Sequence, residues 1–502
     1  MLRDNSTSPK SPLSARFSLT HFFHKERLWL LLLIVCVSLF HWRGLQPGYT
    51  FLPVDLANQN LPWRGDEIRP LQNVLISDPL YQFYPFLNTS IETMRDQQQW
   101  PLWNPDIMLG HPTLGDPLAQ PFFPLLPIFG LVFGAARGFA IGLWFLAVLG
   151  ACLTYGWLRV IRCVPAAAFI GALTYALSGY MITWFETPFW LSTLALFPGI
   201  LLAYEVALQR PRLRYAALTA LLLGLAILGG QFQFMIGFTL FWGLYAIGRS
   251  WESYRETAKL SYTPLLILAL VFVLGVLLSS VFLLPAVELL GVSRRVVKNG
   301  LTDPLPWQQL ITLIIPDFYG SPTTPPYYWG MGNYSENTIY AGVVGLLLAC
   351  AAPLTQKRFF TIYISLITLV IVYFIVGGPG VTWLSWVPGL KYISLHRTNF
   401  ILPLLVAYLA AQTLSAPKVS FKVVLVISAM FAGIVWLAFY FDFSSARAHG
   451  ELLQVEVLKA TLLVFFALCF LWLAASSPRY QTVAQGGMMA LVFVDLFLYG
   501  GW

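Results

Sequence analysis

Runs of apolar residues long enough to cross a bilayer recur along this chain from end to end, and no other feature limits its fold so strongly. A helix needs about 20 such residues to span the hydrocarbon core. We place segments of this kind at 28–42, 138–158, 164–184, 189–207, 215–230, 232–248, 264–290, 337–354, 359–376, 398–415, 421–441, 457–475 and 484–500. The runs lack the dyad alternation of barrel strands, so the predicted class is all-α, a polytopic membrane protein with about thirteen transmembrane helices. Composition agrees. Of 502 residues only 10% are charged and 58% are hydrophobic, too few charges to solvate a globule of this size.

The net charge of +8 does not point to nucleic acid, because in such a chain the placement of Lys and Arg matters more than their sum. The tail 1–27 holds Arg3, Lys10, Arg16, Lys25 and Arg27 before "LWLLLLIVCVSLFHW", with no small-residue cleavage site, and reads as a cytoplasmic tail followed by an uncleaved signal anchor. Counting spans from there, Arg159 and Arg162, then Arg210, Arg212 and Arg214, then Arg249, Arg255 and Lys259, and later Lys357, Arg358, Lys418, Lys422 and Arg479 all fall on the cytoplasmic side. The register never inverts. Cys36, Cys152, Cys163, Cys350 and Cys469 lie in or beside apolar runs without metal-ligand spacing, and read as core packing.

Two loops then face outward, 43–137 and 291–336. The first is far longer than an ordinary helix connection and too aromatic to be disordered. Its "PFFPLLPIFGLVFG" piece, 121–134, is too short and proline-broken for a span and reads as an interfacial or re-entrant element. Polar outliers collect on the same side: Glu186, Gln231, Gln233, Glu288, Arg294, Arg295, Asp317, Glu336, His396 and Arg397.

Each has a plain reading beside a chemical one. Asp78 precedes Pro79 and fits a helix N-cap, or a desolvated carboxylate able to accept a proton from a hydroxyl. Asn104 and Asp116 suit Asx turns. His111 and Asp116 with Asp78 are a sparse ligand set for a divalent cation, which is left open. Arg294, Arg295 and Lys298 run against the charge rule, and with Arg397 either snorkel to headgroups or fork an anionic phosphate. Glu288 near a span end needs a partner or a function. Glu186 and Glu336 are solvated loop carboxylates or binding groups. No nucleotide-binding, zinc-protease or serine-hydrolase motif is present.

"SDPLYQFYPF", "PLWNPDIMLGHP", "LLPAVELLGVSRR", "PDFYG", "ENTIYAGVVGLLLA" and "HRTNF" resemble, in order, the bacterial YfhO-like membrane proteins of the GT-C glycosyltransferase superfamily. The resemblance implies a GT-C-like transmembrane domain over 28–502 in the plasma membrane, working on the cell envelope. It implies a polyprenyl-phosphate sugar as donor and a glycan, lipid or protein as extracytoplasmic acceptor. Asp78 matches the catalytic acidic residue, and Arg295 and Arg397 match basic positions able to hold phosphate. Gln82, Tyr84, Asn104, His111, Asp116, Glu186, Glu288, Arg294, Glu336 and His396 join them as expected substrate-binding residues. The alternatives are a transporter or flippase of lipid-linked saccharides, and a non-catalytic scaffold.

Overall fold

The computed structural model describes residues 19–64, 71, 73, 75–292, 303–323, 325, 327–387, 390, 393–416, 421–441 and 449–500. Most of these are helical, and the described sheet is one pair of two-residue strands, β1 (Trp103–Asn104) and β2 (His111–Pro112). The first half of the chain supplies α1 (Leu19–Phe40), the short α2 (Trp42–Leu45), α3 (Tyr84–Asp96), α4 (Leu125–Phe133), α5 (Ala135–Val160), α6 (Pro165–Ala176), α7 (Gly179–Thr183), α8 (Pro188–Gln209), α9 (Leu213–Leu228) and α10 (Phe232–Thr257). The second half supplies α11 (Thr263–Leu278), α12 (Ser280–Val292), α13 (Tyr334–Asn337), α14 (Val343–Thr355), α15 (Phe359–Ile375), α16 (Leu402–Leu414), α17 (Phe421–Phe441), α18 (Gly450–Ser476) and α19 (Gln481–Gly500).

Each predicted span falls on helix, but the count of thirteen crossings is not reached by length and composition. Among the described residues five helical segments qualify, Ala135–Val160, Pro165–Thr183, Pro188–Gln209, Gly450–Ser476 and Gln481–Gly500. A sixth exists if α11 and α12, bent 73° at their junction, are one broken span. The physical reason is visible at 398–415, where His396–Ile401 winds as 3-10 helix and leaves α16 with 13 residues. Apolar sequence had been counted there without regard to how tightly it winds.

The helices pack through small residues, as expected where lipid gives no hydrophobic drive to bring helices together. Gly150 of α5 sits so close to α8 that an added Cβ would lie 3.3 Å from the Ala195 backbone. Gly171 of α6 approaches the Ala407 carbonyl of α16 still more tightly. α16 is buried at every residue from Leu402 to Thr413 and forms part of the centre. Of the cysteines only Cys163 is fully buried, whereas Cys350 and Cys469 are exposed and correct the core assignment for those two.

The long helices end in polar clusters. At one end Arg159 of α5 pairs with Glu26 of α1 at 2.7 Å, and Arg249 of α10 pairs with Glu205 of α8 at 2.7 Å. At the other end of α8 and α10 stand Trp190 and Gln233, both beside Arg397. On α10 Gln233 and Arg249 are separated by about 24 Å at 1.5 Å per residue, which keeps the two polar bands apart.

Candidate functional site

α13 is the pivot of the second polar band. Asn333 caps it, its side-chain oxygen accepting from the Ser335 and Glu336 amides, so this short turn is fixed against the helix ends. Glu336 leaves it to meet Arg397, whose Nη2 donates at 2.5 Å and Nε at 3.2 Å to the same oxygen. The other oxygen lies 3.1 Å from His396 Nε2. His396 is steadied on its far side, with Nδ1 2.6 Å from the Asp303 carbonyl. Asn399 donates to the Glu336 and Thr338 carbonyls. His396 and then Arg397 hold the Glu336 carboxyl down at about 2.

The cation also rests on an aromatic wall. Arg397 stands 5.7 Å over the Trp190 ring, and Trp190 stacks on Trp184, whose indole donates to the Ser335 carbonyl. Such stacking adds about 0.5–1 kcal/mol or more to a guanidinium, depending on desolvation. Glu336 is thus an ion-paired residue and not a solvated loop carboxylate. Glu186, on the loop between α7 and α8, departs from that reading too. It is half-buried, and burial, with the nearby charge of Asp55 behind it, pushes its carboxyl up to about 8.

Beside α13 opens a cleft of about 1330 Å³. Its lining includes the polar Asp317, Tyr334, Glu451, Glu456 and Lys459 and the apolar Ile182, Val455 and Leu498. Tyr334 donates to Asp317 at 3.0 Å and contacts the Tyr499 hydroxyl at 3.0 Å, joining α13 to the end of α19. Lys459 pairs with Glu456 at 2.6 Å. Burial, then the negative Glu456, raises the Asp317 carboxyl to about 7 despite the Tyr334 hydrogen bond. Dicyclohexylcarbodiimide, which modifies protonated carboxyls in apolar surroundings, is therefore expected to label Asp317 at pH 6 and to lose that reaction as pH rises through about 7. Glu456→Gln removes a neighbouring negative charge, so mass-spectrometric mapping should show the midpoint move to lower pH.

The expected residues of the first outer loop divide. Asp78 is exposed at the start of the turn Pro79–Phe83, and its side chain makes no capping bond, so Pro79 alone sets that start. Two residues earlier, Ile76 lines the cleft, as does Asn73. Gln82 is half-buried on the same turn, and Tyr84 packs edge-on against Phe139. Asn104 and Asp116 close Asx turns, accepting from the Asp106 and Leu118 amides. Asp116 also holds His111 at 2.7 Å. These contacts brace the loop, and Gln120 pins it to the Gly229 carbonyl at the end of α9.

Asp78, His111 and Asp116 are not gathered as a ligand set, and among the described residues no three His, Cys, Asp or Glu side chains are placed to hold a metal. Glu288 sits exposed on α12 beyond the 73° bend, outside any straight span. Arg294, Arg295 and Lys298 lie outside the described residues. Sequence reasoning named Asp317 only as an outlier and did not see Tyr334, Tyr499, Glu456 or Lys459. The signal for the last two was a basic and an acidic residue early in an apolar helix.

The sequence profile of the bacterial membrane protein YfhO matches residues 70–499, and the chain belongs to that family. No curated protein matches it in sequence. Among solved structures it is similar to ArnT from Cupriavidus metallidurans bound to undecaprenyl phosphate, at 12% identity and TM-score 0.44 over 95% of this chain and 78% of that one. It is also similar to the Archaeoglobus fulgidus oligosaccharyltransferase in its apo form, at 13% identity and TM-score 0.43 over 93% of this chain. This chain spans 57% of that enzyme's length. Likenesses this faint leave the functional reading to the residues themselves.

Proposed function

We propose that the protein moves a sugar from a polyprenyl-phosphate donor to an acceptor on the outer face of the bacterial plasma membrane. One observation carries this reading: the cleft beside α13 is lined by carboxylates, tyrosines and a lysine together with apolar side chains from helix ends. A polyprenyl-phosphate sugar is polar at one end and oily at the other, and a space with both linings at the bilayer edge suits it. The resemblance to GT-C enzymes in "SDPLYQFYPF" and "HRTNF" agrees. In this reading the chain crosses the membrane thirteen times with its N-terminus cytoplasmic, and the cleft opens outward.

Asp78 is the proposed base. Its carboxylate is free of the helix start, and the segment that carries it borders the cleft through Ile76. As the acceptor oxygen attacks the anomeric carbon, its proton passes to Asp78. The glycosidic electron pair leaves with the phosphate, which needs no general acid because its second pKa is about 6. A single displacement of this kind inverts the anomeric centre. Arg397, engaged by Glu336, is proposed to set the local field and to share its remaining donors with a phosphate. Arg294 and Arg295 are proposed to complete the anion site, and Gln82 and His396 to border the sugar.

The 73° break between α11 and α12 favours a second reading, because transporters of lipid-linked substrates use broken helices. Deleting the gene and measuring leaflet distribution of polyprenyl-phosphate sugars separates the two. Transfer predicts that the donor accumulates in the outer leaflet while a glycosylated envelope component disappears. Flipping predicts retention in the inner leaflet, and unchanged pools in both leaflets would refute either.

A further inference from the structure

We infer that the hairpin tip of the first outer loop, centred on Met108 and Leu109, is a lipid-inserting wedge seated in the headgroup layer. The hairpin is stiff. β1 and β2 pair through Trp103 with Pro112 and Asn104 with His111, Thr113 donates to the Pro101 carbonyl at 2.6 Å, and Asp116 holds His111 from below. Yet this braced structure displays its oiliest residues outward: Met108 is 88% exposed and Leu109 fully so. Both have positive φ, 51° and 65°, and Gly110 follows at 116°. Side chains seldom adopt that left-handed backbone, and they do so where surrounding structure dictates it.

The surface to which the tip belongs says what covers it. The base of the hairpin sits on α12, since a Cβ on Gly115 would lie 2.6 Å from the Pro285 backbone. α12 leaves α11 at 73°, so where α11 stands across the membrane α12 runs nearly along its surface. Its exposed face carries Leu284 at 72%, Val287 at 68% and Leu290 at 61% exposed, with the exposed carboxylate of Glu288 among them. The hairpin is thus seated on a helix whose exposed residues are apolar but for Glu288, the pattern of an interfacial element, and lipid is the occupant that such a surface in a membrane protein demands. Asp106, exposed beside Met108, limits entry to the headgroup and upper acyl region. Trp103, lying against Gly110, suits the same depth. The wedge fixes the level of the loop that carries Asp78, and it stands whether or not sugar transfer is the activity.

The test uses the full chain in liposomes. A phosphatidylcholine bearing a diazirine near its carbonyl is expected to leave lipid adducts on 107–110 and on the exposed face of α12, mapped by mass spectrometry. Hydroxyl-radical oxidation of Met108 should be several-fold slower there than that of exposed Met331, and the two rates should equalise once the protein is unfolded in urea. Met108→Asp with Leu109→Asp should lose the tip adducts and keep those on α12. Oxidation of Met108 at the Met331 rate, absent adducts at the tip, or a crosslink joining the tips of two copies would each overturn the inference.

Discussion

Replacement of Asp78 by Asn is expected to reduce sugar transfer by roughly 10²–10⁴-fold, the range set by loss of a positioned general base. Stability should stay within about 0.5 kcal/mol of wild type, as for surface positions without a structural bond. Both halves follow from one contact that is missing: a side chain exposed at the start of Pro79–Phe83 with no capping bond. An Asn there still fits the turn but cannot accept the proton. Membranes from cells expressing each variant, supplied with radiolabelled polyprenyl-phosphate sugar, give the rate, and fluorescence-detected gel filtration after heating gives the fold. Asp116→Asn is the contrasting control. It weakens the 2.7 Å latch to His111 and should lower stability before it touches chemistry. Transfer at the wild-type rate by Asp78→Asn would remove the base from the proposed mechanism.

Hydropathy located the helices well because lipid demands uniform oiliness over a whole turn, and that demand is written residue by residue. It sets span lengths less well where oiliness does not mean α-helix. Residues 337–342 and 398–401 fall inside predicted spans, yet the first precede α14 as largely irregular backbone and the second are 3-10. In the site, sequence placed Glu336, His396 and Arg397 on one side of the membrane but could not join them. About sixty residues separate the carboxylate from its partners, and their contact depends on α13 being capped by Asn333. The Asx roles of Asn104 and Asp116 were legible, since those depend on neighbours two residues away. Tyr499 was not: a tyrosine near the end of an apolar helix reads as an interfacial ring, and only the fold brings it to Tyr334.

Glu336→Gln should destabilise the protein strongly, and the deficit should depend on pH in a fixed direction. Removing the carboxylate leaves Arg397 and His396 facing each other in a site where each side chain is less than a quarter exposed. Breaking one side of a buried pair costs about 3–5 kcal/mol, and the partial exposure lowers the expectation to about 2–3 kcal/mol. The carboxyl agrees in direction: held down from 4.5 to about 2 by His396 and Arg397, it favours the folded state. Because the folded-state value is the depressed one, the stabilisation is complete above the unfolded value near 4.5 and is lost as pH falls toward 2. Thermal midpoints of wild type and Glu336→Gln in detergent should therefore differ fully at pH 7 and draw together as pH falls from about 4.5 toward 2, where the folded wild-type residue takes up its proton. Arg397→Gln added to the Glu336→Gln variant should cost less than Arg397→Gln in wild type, since the guanidinium has already lost its counterion there. A constant gap from pH 7 to pH 3, or strictly additive losses, would mean that Trp190 and Gln233 rather than Glu336 hold Arg397 in place.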